Sequence, residues 1–181
     1  GTQYIDTGII GDGDTEVEID MCYHQQSSAT GSGRVFGSRT TTTNDRFVIG
    51  SNNGTAVPTT PIFAQFGIDV KLTSTNIVIG QWLKVTVNKT GFYFNGNLQG
   101  SFSQQSSFST PQSMKMFAFA SNGTILCGIM RIKGVIVASN GIVKGNFIPV
   151  RCGTTGYMYD TVGGTLFGND GTGDFIVGAD V

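Results

Sequence analysis

Thr15-Glu-Val-Glu-Ile-Asp-Met-Cys-Tyr23 decides the fold. In an extended chain, successive side chains point to opposite faces. Val17, Ile19 and Met21 therefore share one face, and Glu16, Glu18 and Asp20 share the other. Apolar residues on one side and carboxylates on the other define a strand with one face on a core and one in water.

The same signature recurs about every ten residues on either side. Gln3 to Thr7 is a short alternating run that stops at Gly8. Val35-Phe-Gly37 and Phe47-Val-Ile-Gly50 follow a Gly/Ser-rich loop. Ile62 to Phe66, Val70 to Leu72 and Trp82-Leu-Lys-Val-Thr-Val87 come next. Asn88 to Gly91 turns the chain into Phe92-Tyr-Phe94, and Asn95-Gly96 turns it again into Leu98 to Phe102. Asn-Gly is a strong hairpin signal because both residues tolerate positive φ. Met114 to Ala120, two apolar stretches within Ile125 to Val137, and Ile142 to Ile148 complete the series, with turns at Asn122-Gly123 and Asn140-Gly141. No segment sustains a helical period with caps. About a dozen short strands joined by tight turns predict an all-β, two-sheet antiparallel sandwich of the jelly-roll kind. No linker or internal repeat divides residues 1–181, so one domain is expected. From Pro149 onward glycine is dense and aromatics are interspersed, which predicts a closing segment of loops over 149–181 with a last strand at Phe175 to Val177.

Composition agrees. The 181 residues include 27 Gly, 13 Phe and only 13% charged residues, with a formal net charge of −1. A charge-poor, nearly neutral chain lacks the clustered basic face that nucleic acid requires. Lysine and arginine are scattered rather than run together as an anionic membrane surface would favour. No apolar run reaches the ~18 residues that span a bilayer as a helix. The opening Gly1-Thr2-Gln3-Tyr4 has no basic n-region or apolar h-region.

Several residues bear on chemistry. Glu18-Ile-Asp-Met21 is the first half of the E-x-D-x-E or E-x-D-x-x-E strand of concanavalin A-like β-glucanases, whose paired carboxylates stand about 5–5.5 Å apart for a retaining mechanism. Cys22 and Tyr23 occupy the places of the second glutamate, and neither can protonate a glycosidic oxygen at neutral pH. A non-catalytic role is expected. Asp12, Asp14 and Glu16 offer hard oxygens at alternate positions and are candidate Ca²⁺ ligands. Cys22, Cys127 and Cys152 are odd in number and form no CxxC pair, so three buried or half-buried free thiols are expected. His24 lies two residues from Cys22 on the same strand face, yet nothing nearby in sequence would orient it as a base. Gly11-x-Gly13, Gly31-x-Gly33 and Gly171-x-Gly173 lack a following helix and lysine, and read as turns. Asn53, Asn88 and Asn122 each begin a glycosylation sequon. Tyr4, Trp82, Tyr93 and Tyr157 are candidate glycan-stacking rings, because aromatic faces pack on the C–H faces of pyranoses.

The chain resembles laminin-G-like, concanavalin A-type jelly-roll domains of phage and prophage structural proteins. Tyr4-Ile-Asp-Thr-Gly8 and Val35-Phe-Gly-Ser-Arg39 resemble the opening strands, and Phe92-Tyr-Phe-Asn-Gly96 a ring–Asn-Gly hairpin. Phe147-Ile-Pro-Val-Arg151, Gly156-Tyr-Met-Tyr-Asp160, Phe167-Gly-Asn169 and Gly171-Thr-Gly-Asp-Phe175 resemble the ending. The resemblance implies an adhesion or structural module on a virion fibre or tail, homo-oligomeric, binding a host cell-surface glycan or other virion proteins. It implies closing-loop roles for Asp160 and Asn169. The alternatives are a bacterial carbohydrate-binding module or secreted lectin and, less well supported, a glycoside hydrolase.

Overall fold

A computed structural model describes residues 3–24, 33–40, 45–51, 59–72, 76–103, 107–175 and 178. Every regular element among them is a strand. In chain order these are β1 (Ile5–Asp6), β2 (Thr15–Tyr23), β3 (Arg34–Arg39), β4 (Arg46–Ser51), β5 (Thr59–Thr60), β6 (Ile62–Phe66), β7 (Asp69–Leu72), β8 (Ile77–Val78) and β9 (Trp82–Asn88). There follow β10 (Gly91–Phe94), β11 (Asn97–Ser101), β12 (Lys115–Met116), β13 (Ala118–Ser121), β14 (Thr124–Cys127), β15 (Met130–Ser139), β16 (Ile142–Cys152), β17 (Thr155–Asp160) and β18 (Thr165–Phe167).

Two eight-stranded sheets make the expected sandwich. The first runs β1-β12-β3-β4-β6-β7, with β13 and β14 attached beside β3. The second runs β11-β10-β9-β2-β15-β16-β17-β18. A small β5-β8 pair stands apart. Pairing is antiparallel except where β13 meets β3 over Ala120 and Ser121.

The opening stretch occupies the middle of the second sheet, between β9 and β15. Val17, Ile19 and Met21 are fully buried. Cross-strand partners Val87, Val85, Val135 and Val137 continue their layer. Phe36, Phe47, Ile49, Ile62 and Phe66 of the first sheet complete the core between the layers. Four aromatic contacts link Phe36, Phe47, Phe66, Phe102 and Phe108 at centroid distances of 5.1 to 6.4 Å. Part of the first sheet's outward side is also buried, where Val48, Phe63 and Phe119 form a second cluster. Strands buried on both faces read as continuous apolar runs, which is why Phe47-Val-Ile shows no alternation.

Residues 149–181 depart from the expected loops. β16 runs to Cys152, and β17 and β18 add two antiparallel strands to the sheet edge. Gly153 and Gly164 supply positive φ at the intervening turns. The glycines there punctuate hairpins rather than mark irregular chain. Phe175 lies outside any strand, and Ile176 and Val177, the rest of the expected last strand, lie outside the described residues. The expected strand Met114 to Ala120 is broken at Phe117, which has φ 62°. A bulky residue with positive φ is an outlier. It reverses the chain, so that β12 is antiparallel and β13 parallel to the same strand β3.

Two side chains hold the closing segment, as the resemblance implied. Asp160 is buried, and its carboxylate accepts the amide N–H groups of Asn146, Val162 and Gly163 at 2.9–3.0 Å. Asn169 Oδ1 accepts from the amides of Tyr4 and Gly171 at 3.0 Å each. Asp170 completes a clasp on the first strand: its amide donates to Tyr4 O at 2.9 Å, and its carboxylate accepts from the Asp6 amide at 2.6 Å.

Asp6 also pairs with the buried Lys115 ammonium. Burial alone would raise the Asp6 pKa. Hydrogen bonds from Lys115, Ser113 and the Gly8 amide, with the Lys115 charge, outweigh burial and hold it below the ordinary 3.8. A carboxyl depressed on folding contributes stability that is complete above the unfolded value and is lost as pH falls through the folded one. Thermal unfolding followed from neutral pH downward should therefore show a loss of stability starting below about pH 4. Asp6→Asn should lower the neutral-pH plateau and flatten that acid limb. An acid limb identical in the variant would show that other groups set it.

Candidate functional site

The outward face of the second sheet is open. Its charged centre follows from the alternation of β2. The register sets side chains in cross-strand rows. Tyr93, Thr86, Glu18, Ile136 and Asn146 make one row, and Lys84, Asp20 and Gly134 the next. Trp82, Cys22 and Arg131 form a third. A shallow depression is lined by Glu18, Asp20, Lys133, Gly134, Ile136 and Asn146. Gly134 leaves part of its lining without a side chain.

The pairing of β15 with β2 shifts between Ile132 and Gly134, leaving Lys133 as the extra residue of a bulge. Bulges re-aim side chains. Here the Lys133 ammonium lies 4.2 Å from the centroid of the Trp82 ring. Trp82 is 41% exposed, a large apolar ring left at the rim of an acidic hollow. Glu18 accepts a hydrogen bond from Lys84 Nζ at 2.6 Å, which together with its charge raises the Lys84 pKa. Asp20 has no hydrogen-bond partner among the described residues and meets Lys84 only through its charge. The hollow itself thus combines an acceptor-only carboxylate, a paired carboxylate, the Lys133 ammonium and the Asn146 amide, and the Trp82 ring meets it through Lys133.

Of the four candidate aromatics, three share this face. Trp82 stacks against Lys133, which lines the depression. Tyr93 lies on β10, its hydroxyl bonded to Thr90 Oγ1 at 2.9 Å. Tyr157 lies on β17, packed beside Gly168. Trp82 and Tyr157 are separated by four strand spacings, roughly 19 Å at the usual inter-strand distance, so they do not line one pocket. Tyr4 is elsewhere: its backbone belongs to the clasp with Asn169 and Asp170. Sequence reading missed Lys133, Ile136 and Asn146. A glycine inside an alternating strand, as Gly134 is, signals a bulge and could have pointed to Lys133. It also missed an exposed apolar row, Ile148–Tyr159–Leu166, that crosses β16, β17 and β18 on the same face.

The candidate Ca²⁺ ligands do not converge. The Asp12 carboxylate accepts from the Asp14 amide, Thr15 Oγ1 and Ser139 Oγ at 2.9–3.0 Å. Asp14 pairs with Lys89 at 2.9 Å, and Glu16 accepts from Asn88 Nδ2 at 2.9 Å. Each carboxylate already has a protein donor, so the donor set does not fit a resident cation. No group of three or more metal-ligating side chains exists among the described residues.

Cys22 and His24 do meet, with Sγ 3.5 Å from Nε2. Burial pushes the Cys22 thiol up, against the opposing charges of Arg131 and Lys133. That keeps it a thiol, the opposite of what a nucleophile needs. Tyr23 points the other way and bonds Ser51 Oγ at 2.7 Å inside the core. The expectation of three buried or half-buried thiols fails at Cys152, which is exposed at the end of β16.

The chain is therefore a two-sheet β sandwich with an open, charged hollow on one face. No protein-family model and no curated protein matches the sequence. Among solved structures, it is similar to a candidate carbohydrate-binding protein from Bacteroides ovatus, with a TM-score of 0.65 and 10% identity. The match covers 99% of this chain and 59% of that one, so this chain spans about three fifths of its neighbour's length. At that identity the likeness is one of fold.

If Asp12 serves as a backbone and hydroxyl acceptor, Asp12→Ala should cost about 1–3 kcal/mol of stability, equally in calcium and in EDTA. Chemical denaturation in both buffers measures this. A cost confined to calcium would make Asp12 a metal ligand.

Proposed function

We propose that the protein binds carbohydrate on the outward face of the second sheet, as a non-catalytic binding module. Trp82 carries this reading. An indole left exposed one row from Asp20, with Lys133 linking it to the hollow, provides a stacking surface near acceptors for hydroxyl groups. Lys133 covers one face of the ring, which is still 41% exposed and available to a sugar. The fold likeness to a candidate carbohydrate-binding protein supports the same reading. Glu18 is tied to Lys84, and Cys22 stands where a second catalytic glutamate would be needed. Both favour binding over hydrolysis.

Trp82 is the sole tryptophan, so its emission reports directly on this face. A glycan array should identify a saccharide, and titrating that saccharide should shift Trp82 emission saturably. Trp82→Ala should lower affinity at least tenfold, matching the ~1–3 kcal/mol of a lost aromatic stack, with the fold unchanged by circular dichroism. Absence of any array hit, or full affinity in the variant, would sink the proposal.

A second reading places the module on a virion appendage, where it would bind a host glycan or neighbouring virion proteins as an oligomer. The sequence resemblance supports it, and the exposed Ile148–Tyr159–Leu166 row offers a protein-facing surface. Sedimentation should then show an oligomer that Tyr159→Ser dissociates. A monomer at high concentration would count against it.

A further inference from the structure

The first sheet turns a basic face outward, away from the hollow. Its register sets Arg34 opposite Gly50 and Arg39 opposite Arg46. The parallel pairing of β13 with β3 brings Phe119 alongside. The guanidinium carbons of Arg34 and Arg39 lie 4.5 and 4.9 Å from the centroid of the Phe119 ring. The ring is wholly buried, whereas both arginines are half-buried and reach solvent.

Neither Arg34 nor Arg39 is bonded to a carboxylate among the described residues. Arg39 donates to Ser121 Oγ and Gln65 Oε1, each at 3.3 Å, and both acceptors are neutral. The Arg34 side chain meets the ring, Tyr23 and Arg39 through its charge and has no side-chain hydrogen bond among the described residues. The ion pairs at Glu18, Asp14 and Asp6 are made with lysines and involve neither Arg34 nor Arg39. Arg34 and Arg39 sit on one ring, within roughly one Debye length of each other (~10 Å at 0.1 M salt). Like charges directly opposite on a sheet, as Arg39 and Arg46 are, oppose pairing. Burial lowers both guanidinium pKa values, and the neighbouring arginine lowers them further. Cation–π contact returns about 0.5–2 kcal/mol per arginine. Arg39 commits Nε and one Nη1 hydrogen to Ser121 and Gln65 and keeps its remaining N–H groups for an acceptor, and Arg34 has no side-chain hydrogen bond among the described residues.

We propose that Arg34 and Arg39, stacked on Phe119, form a binding site for an oxyanion, a carboxylate or sulfate group carried by a ligand. The planar N–H fork matches the oxygen spacing of either group. Stacking on a buried ring fixes the fork before the ligand arrives, which limits the entropy lost on binding. The site lies on the opposite sheet from Trp82 and is independent of the carbohydrate reading.

The full chain is titrated with sodium sulfate against sodium chloride at matched ionic strength, following the Arg Nε–Hε resonances. Sulfate should move the Arg34 and Arg39 signals saturably, and chloride should not. Arg34→Gln should weaken this response by about tenfold or more, as loss of a charge-assisted hydrogen bond does, while Trp82 emission stays unchanged. Arg39→Gln serves the same purpose should the first variant fail to fold. Arg34→Lys keeps the charge but loses the fork, and should bind more weakly than the native chain. Galacturonate that competes with sulfate, while galactose does not, makes a sugar acid the source of the anion. Response to sulfate alone assigns sulfate or a sulfate ester. A sulfate response no larger than that of chloride, or one retained in both glutamine variants, overturns the site.

Discussion

Everything in the second sheet depends on the register of β2. Its alternation sends Val17, Ile19 and Met21 inward and Glu16, Glu18 and Asp20 outward. A slip of one residue would exchange the two sets. It would expose three apolar side chains, at roughly 1.5–3 kcal/mol each, and bury three carboxylates. No such alternative competes. Because β2 is central, its register is passed to β9 and β15 and from them to the sheet edges. The position of Trp82 opposite Cys22, and of Ile136 opposite Glu18, follows from that one constraint.

A chain this poor in charge spends several of its acids on its own backbone. Asp160 and Asp12 accept main-chain amides where the chain leaves a sheet and has no strand partner to meet them. Asn169 does the same with an amide oxygen. These groups explain how a glycine-dense ending is held to the sandwich. They also separate structural acids from Glu18 and Asp20, which face an open hollow. On the other sheet the balance is inverted, with Arg34 and Arg39 gathered on a ring and neither bonded to a carboxylate among the described residues.

Much of the fold was legible in the sequence because its signals are local. Asn95-Gly96, Asn122-Gly123 and Asn140-Gly141 all take positive φ, as tight hairpins require. The ending was misread because its strands are as short as Thr165–Phe167, and glycine at the turns dominated the composition. The break at Phe117 had no local signal; the residue takes a backbone region that its side chain disfavours. Of the candidate site, Trp82 was legible as a lone exposed-type aromatic on a strand. Lys133, Ile136 and Asn146 were not, because they come from β15 and β16, and cross-strand neighbours are set by pairing rather than by proximity in sequence. Tyr4 looked equivalent to Trp82 in sequence and differs only because its backbone is held by Asn169.

The clasp of Tyr4 and Asp6 by Asn169 and Asp170 has a mechanical consequence. It brings the outgoing chain beside the incoming chain. Tension applied through both would pull apart a few adjacent hydrogen bonds in succession, as in opening a zip, instead of shearing a whole strand. Such bonds yield one at a time at low force. The sheets behind them would stay unloaded until the clasp had opened, so the outward faces would keep their shape under a modest pull.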